Sequence, residues 1–223
     1  MGLEDKVVLI TGGSGALGQT VVPAFLSAGA RVISGDLNPL PVQPGVMAVK
    51  ADVSDHADVQ RLVNEAIRTS GRIDALVNLV GGFADGRVLE TDMPTWQRML
   101  TMNLTSAFLL SKSVLPHMLE RRMGRIVHVA ARAALEPFPG AAAYIVSKSG
   151  LVALIRALSI ELSGLGVTIN GVLPSTIDTP GNRRAMPDAD LSKWARPESI
   201  AQTLIFLASD EAIQINGALI PIG

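Results

Sequence analysis

Tyr144 is the single tyrosine of this chain, and Lys148 follows it at i+4 in Tyr-Ile-Val-Ser-Lys. On a helix that spacing stacks the two side chains on one face, one turn apart. An ammonium beside a phenol favours the phenolate and lowers the phenol's pKa. A phenol tuned in this way donates or accepts a proton near neutral pH. The plain alternative is a surface pair on an ordinary helix. Upstream of the tyrosine, where a serine hydroxyl would be expected to assist such an acid, stands Ala131.

A second group of residues could hold an anion. The apolar run Val7–Thr11 is followed by Gly12-Gly13-Ser14-Gly15-Ala16-Leu17-Gly18 and then by a helical pattern. A strand, a glycine-rich turn and a helix N-terminus together present free backbone N–H groups and a positive dipole end to a pyrophosphate. Gly12 permits the tight turn and Gly18 close packing of helix on strand. A tight βα turn with no ligand is the alternative. Asp36 weighs against it, because it ends the next strand at roughly the ~20-residue spacing of a ribose-binding acid. A carboxylate there accepts from both ribose hydroxyls and repels a 2′-phosphate, so NAD(H) is expected over NADP(H). Arg31 begins the same strand, too far back to offset that charge.

These groups must be carried by a scaffold. Short β-branched runs at Val7–Thr11, Arg31–Asp36, Val46–Lys50, Ala75–Val80, Arg125–Ala130, Val167–Val172 and Ala218–Ile222 alternate with helical patterns. The latter fall at Leu17–Ala28, Ala57–Thr69, Thr95–Arg121, Ala142–Gly164 and Pro197–Ala208. Alternation of this kind implies an α/β Rossmann fold in one domain over residues 1–223, a seven-stranded parallel sheet with helices on both faces. Pro23 is expected to kink the first helix or mark its early turns. Leu37–Gly45 reads as a loop.

The 223 residues are 48% apolar and 17% charged, with net charge −1, which gives no sign of a nucleic-acid or membrane-surface binder. There are no cysteines, which removes disulfides, thiol catalysis and cysteine metal sites. His56, His117 and His128 lie in unrelated segments without metal-ligand spacing, so no metal is expected. No signal peptide or membrane span is visible, and a cytoplasmic location is the default expectation.

In these residues the chain resembles the short-chain dehydrogenases/reductases over nearly its full length. Thr11, Gly12 and Gly18 match their first motif, with Ala16 in place of its middle glycine. The resemblance implies cofactor contacts from Gly12, Ser14, Ala16, Leu17, Gly18, Asp36, Asp52, Val53, Gly81, Tyr144, Lys148, Pro174 and Thr179. The Ala16 methyl would then sit where backbone approaches cofactor. Tyr144 and Lys148 match the catalytic pair, Asn103 the asparagine that holds a proton-relay water, and Ala131 the position of the catalytic serine. Losing that donor costs about a hundredfold to a thousandfold in turnover. The directions of Ser147 and Ser149 make neither a substitute.

The chain is also similar to dihydropteridine reductase, in Gly15–Gly18, in Gly81-Gly82-Phe83, in lacking that serine, and in the run from Leu173 to Pro180 and on to Trp194. The resemblance implies a small-molecule acceptor, either a carbonyl or an activated heterocycle such as a quinonoid dihydropterin, and a substrate lid at about 174–197. Phe83, Arg132 and Trp194 are the expected substrate contacts, with Phe138, Arg183 and Arg184 nearby. Packing of the lid by Phe138 and Trp194, and plain solvation of the arginines, are the alternatives. A homo-oligomer, dimer or tetramer, is expected. The competing reading is an NAD-binding sensor or scaffold without catalysis.

Overall fold

The computed structural model describes residues 2–41 and 43–223; Met1 and Val42 lie outside the described residues. Seven strands form one sheet in the order β3-β2-β1-β4-β5-β6-β7, every pair parallel. They are β1 Val7–Thr11, β2 Arg31–Asp36, β3 Val46–Lys50, β4 Ala75–Asn78, β5 Gly124–Val129, β6 Val167–Pro174 and β7 Leu219–Ile222. The helices are α1 Gly18–Ser27, α2 His56–Ser70, α3 Met93–Leu100, α4 Ser106–Glu120, α5 Ala142–Glu161, α6 Pro180–Ala185 and α7 Pro197–Ala208.

Strand periodicity divides the core in two. On β1, Leu9 belongs to one buried cluster with Leu62 of α2, Leu110 of α4 and Ile155 of α5. Val8 and Ile10 belong to the other, with Val21 and Phe25 of α1 and Leu204 of α7. Both faces are covered, which is why the strands read as unbroken apolar runs. The sheet reverses direction of growth between β1 and β4, and the crevice beyond their carboxyl ends is the ligand position of such folds.

Several expected boundaries shift for identifiable reasons. The helix expected over Thr95–Arg121 is interrupted. Asp92 accepts from Thr95 N at 2.8 Å and starts α3 early, and a π turn over Thr101–Thr105 separates α3 from α4. Strand β4 stops at Asn78 instead of Val80, because the Asn78 side chain takes the Val80 N–H at 3.1 Å and bends the chain away. Pro23 lies inside α1, which continues past it to Ser27 although the Gln19 carbonyl receives no amide there. By length and composition α5 could span a bilayer. Its Leu151, Val152 and Ile155 instead join the core against β6, with Lys148 buried on the same helix.

The amino-terminal edge of the sheet is held by a buried carboxylate. Asp74, 4% exposed, accepts from Val7 N at 2.9 Å, Arg72 Nε at 2.8 Å and Arg121 Nη2 at 2.8 Å. Burial pushes its pKa up, but the Val7 amide and the two guanidinium groups outweigh burial and hold it below the ordinary value. A carboxyl depressed on folding contributes stability above its unfolded value of about 3.9, and loses it as pH falls through the folded value. Asp74→Asn is therefore expected to lower the unfolding free energy by about 3 kcal/mol at pH 7. The difference from the parent protein should shrink below about pH 4, and urea melts at pH 7 and pH 3 measure it.

Candidate active site

At the end of β1 the chain turns from Gly12 to Leu17 before α1 begins. Gly12 has φ +79°, and a Cβ there would lie 2.9 Å from Val80 N. A Cβ on Gly13 would lie 2.5 Å from Ser34 Oγ, and one on Gly18 would run into the Gly13 carbonyl. These glycines are fixed by packing against neighbouring backbone and strand. Helix α1 opens with no side-chain cap. Gln19 N and Thr20 N bond back to Gly15 O and Leu17 O at 3.1 Å, so the N–H groups left for a ligand are those of Ala16, Leu17 and Gly18.

Gly12, Ser14 and Gly15 form one wall of a cleft of about 620 Å³. Asp36, Asp52, Val53 and the Leu79–Gly81 segment form the next walls, and Gln97, Arg98 and Met102 close it from above. Ala16 is exposed and stands outside the cleft wall, so its methyl does not crowd the cleft as expected. Leu17 is buried in the core beside Val21, leaving only its backbone for a ligand. The Asp52 carboxylate is turned to Ser54, accepting from its N at 2.9 Å and Oγ at 2.6 Å. A cradle that any Cβ would fill, an uncapped helix and a carboxylate at the end of β2 fit the diphosphate and ribose of a dinucleotide.

A buried polar chain holds the loop after β4 in place. Asn78 Oδ1 accepts from Thr11 Oγ1 at 2.8 Å and from Val80 N, which fixes the amide's orientation. Asn78 Nδ2 must then donate to His128 Nδ1 at 3.3 Å. His128 in turn donates from Nε2 to Ser111 Oγ at 2.9 Å, and that hydroxyl donates to the Ala107 carbonyl at 2.8 Å. Burial, with the Lys148 charge adding to it, pushes His128 down to about 3, so it stays a neutral packing histidine. Among the described residues no cluster of three metal-ligating side chains occurs.

Lys148 is buried on α5, and its Nζ donates to the Val129 carbonyl at 2.9 Å. Gly81 passes directly over it: a Cβ on that glycine would lie 3.0 Å from Nζ and 2.9 Å from Asn103 Oδ1. Burial pulls Lys148 down to about 8 and pushes the Tyr144 phenol up to about 12. This corrects the expectation that the lysine lowers the tyrosine's pKa. The one recorded acceptor of the ammonium is the Val129 carbonyl at the end of β5, and loss of water governs the phenol. Tyr144 therefore keeps its proton at neutral pH, the state a proton donor requires.

Asn103 sits fully buried in the π turn. Its Oδ1 accepts from Gly82 N at 2.9 Å, and its Nδ2 donates to Gly82 O at 3.0 Å and Ser147 Oγ at 2.9 Å. Both N–H donors of that side chain are used in clamping Gly82 to α5, and Oδ1 keeps one lone pair. Ser147 is consumed by the same clamp and by the Tyr144 carbonyl, and Ser149 turns to Ala134 O at 3.4 Å. Neither hydroxyl stands in for Ala131, which is 5% exposed immediately after β5.

Phe83 meets the Tyr144 ring edge-on, centroids 5.0 Å apart, and more than half of it is exposed, as is nearly half of Phe138. Trp194 departs from expectation at 8% exposure. The pairing of Ile177 with Ala195, closed by Asp178 N to Ala195 O at 2.9 Å, holds the loop where the indole is buried, as the packing alternative has it. Arg132 is likewise turned aside, its Nη2 donating to the Gly223 carbonyl while Nε is buried without a partner. Arg183 pairs with Asp178 at 2.5 Å, and Arg184 is exposed. Pro174 closes β6, and the Thr179 hydroxyl caps α6 by accepting from Asn182 N at 3.2 Å. Sequence reasoning missed Gly13, Ser34 and the α3 wall, while His128 is the packing histidine that its isolated position suggested. Only Ser34 carried a readable signal, its place two residues before Asp36 on one face of a strand.

Fold and cleft together define an open α/β protein of the dinucleotide-binding class. A profile of the short chain dehydrogenase family matches residues 6–190, and the chain belongs to that family. It is 37% identical to meso-2,3-butanediol dehydrogenase of Serratia marcescens, over all of this chain and 94% of that protein. It is 31% identical to the 3-oxoacyl-(acyl-carrier-protein) reductase of Thermotoga maritima, over all of this chain and 98% of that protein. Among solved structures, the aldohexose dehydrogenase of Thermoplasma acidophilum superposes with a TM-score of 0.90 at 27% identity, covering 98% of this chain and 92% of that one. The chain is thus an oxidoreductase of a family that binds nicotinamide dinucleotides.

The crowding at Gly13 is directly testable. Gly13→Ala is expected to destabilise the protein by about 1–3 kcal/mol and to weaken dinucleotide binding. Gly15→Ala should do less, because its Cβ would meet only Gly12 O, at 3.2 Å. Thermal unfolding with and without NADH separates the two.

Proposed function

We propose that this protein is an NAD(H)-dependent reductase that passes hydride to a carbonyl or an activated heterocycle, with Tyr144 as the general acid. Bound in the cleft, the nicotinamide dinucleotide would supply the hydride. Gly12, Ser14 and the start of α1 would hold its diphosphate, and Asp36 its adenosine ribose. Lys148 would hold the second ribose from beneath Gly81. Thr179, whose hydroxyl hydrogen is free while its oxygen caps α6, would donate to the carboxamide. Tyr144 would deliver its proton to the acceptor atom as negative charge grows there.

The observation that carries the choice of acceptor is that a buried alanine, Ala131, follows β5 where a hydroxyl donor is expected to assist Tyr144. A plain ketone needs a second donor to polarise it, and the site offers none from Ser147 or Ser149. A quinonoid dihydropterin is electron-poor before it binds, and its flat ring suits the exposed face of Phe83. The relatives' names point instead to diols, sugars and oxoacyl groups. The second reading, an NAD-binding protein without catalysis, is favoured by Ala131 alone.

Tyr144→Phe is expected to lower turnover by about a hundredfold to ten-thousandfold with NADH binding kept. An unchanged rate would rule out tyrosine chemistry. Ala131→Ser should raise ketone reduction by about a hundredfold while leaving quinonoid dihydropterin reduction nearly unchanged. Steady-state assays with both cofactors and both acceptor classes read these outcomes together. We further expect a homo-oligomer, dimer or tetramer, built on the outer faces of α4 and α5, where Phe108, Val146 and Ile160 are exposed. A light-scattering mass of more than one chain is the check.

A further inference from the structure

Ser34 and Asp36 occupy alternate positions of β2, so their side chains leave the same face of the sheet. Gly35 between them faces the other way, against Leu62 of α2. Ser34 is fully buried, and its hydroxyl donates to Asp36 Oδ2 at 2.7 Å. The phosphate-side turn rests on this pair: a Cβ on Gly13 would lie 2.5 Å from Ser34 Oγ and 3.6 Å from Asp36 Oδ2. Asp36 is 6% exposed, and what remains exposed is on the cleft wall. Among the described residues Ser34 is its one side-chain or backbone donor. A carboxylate so buried, with a single protein donor, is short of hydrogen-bond partners.

We infer that Ser34 is a positioning residue for cofactor choice: it holds Asp36 Oδ2 and so leaves Oδ1 aimed into the cleft for the vicinal hydroxyls of a ribose. This rests on the NAD(H) reading above. The terminal torsion of an aspartate is broad and has no deep well of its own. Without the serine the carboxylate turns freely. It then loses part of its grip on the ribose, and it can retreat from a 2′-phosphate that the fixed carboxylate repels. Ser34 touches no cofactor atom; it acts through Asp36.

The experiment is a fluorescence titration of NADH and NADPH against the full-length protein, its Ser34→Ala, Ser34→Cys and Asp36→Ala variants, and the Ser34→Ala/Asp36→Ala double variant. Binding is read without turnover, so the result is independent of which acceptor the enzyme reduces. Ser34→Ala should raise the Kd for NADH about tenfold and leave that for NADPH unchanged or lower. Ser34→Cys, which keeps the size and a weak donor, should fall between, and it carries the test if the alanine variant does not fold. In the Asp36→Ala background Ser34→Ala should change neither Kd by more than about twofold. Equal weakening of both cofactors, or the full loss persisting without Asp36, would mean a structural role and overturn the inference. A parent protein that favours NADH, with a preference that Ser34→Ala and Ser34→Cys leave intact, overturns this inference alone. A parent protein with no preference for NADH overturns the NAD(H) reading and this inference with it.

Discussion

The site depends on how closely two backbones approach at the point where the sheet changes direction. The turn after β1 and the loop after β4 are so close that a Cβ on Gly12 would touch the Val80 amide. One step on, Gly81 crosses over Lys148 with equally little room. Nothing bulkier than a hydrogen fits at either crossing. The cleft therefore has a floor made of main chain, with the Lys148 ammonium beneath Gly81. The rest of the fold keeps these crossings at contact distance. The Thr11–Asn78–His128–Ser111 chain fastens β1, β4, β5 and α4 together just below them, and the Asn103 clamp fastens Gly82 to α5 beside them.

Buried charges are treated differently at the two edges of the sheet. Asp74, at the amino-terminal edge, has three donors, two of them cationic. At the carboxyl-terminal edge Asp36 has one donor and Lys148 one acceptor. A fully partnered carboxylate serves stability, whereas a charge left short of partners is costly unless something else completes it. Of these two charges, of opposite sign, Asp36 is on the cleft wall and Lys148 lies beneath Gly81. Burial also displaces Lys148 and Tyr144, and displaced titratable groups of this kind gather at functional sites.

The strands were legible in the sequence almost to the residue, because a parallel strand covered on both faces must be apolar throughout. Pro197–Ala208 was legible for a related reason, with proline marking the first turn and apolar spacing doing the rest. The break in Thr95–Arg121 was not, since a π turn changes no residue preference and is created by where Asn103 must point. The Tyr144–Lys148 pair shows the same limit. Their spacing on one helix was readable, but the direction of the ammonium was set by the Val129 carbonyl on a strand far away in sequence. Trp194 and Arg132 were misjudged because aromatic and cationic residues on a loop look alike whether they face a ligand or the loop's own underside. Only the Ile177–Ala195 pairing and the Gly223 carbonyl decide it.

Ala131 acquires its meaning from these neighbours. Had Ser147 been free, a displaced hydroxyl would have taken over from the missing serine, and the methyl would mean little. Ser147 is instead locked into the clamp that positions Gly82, and the clamp in turn sets the loop that carries Phe83 onto Tyr144. Releasing that hydroxyl for catalysis would loosen the loop over the acid. The site thus offers one buried, protonated phenol with an exposed aromatic ring against its edge, and a buried methyl after β5 in place of a hydroxyl. Such a site gives little help to an acceptor that must first be polarised. Under the function proposed above, it suits an acceptor whose own electron deficiency draws the hydride, leaving to the protein the placing of the ring and the delivery of one proton.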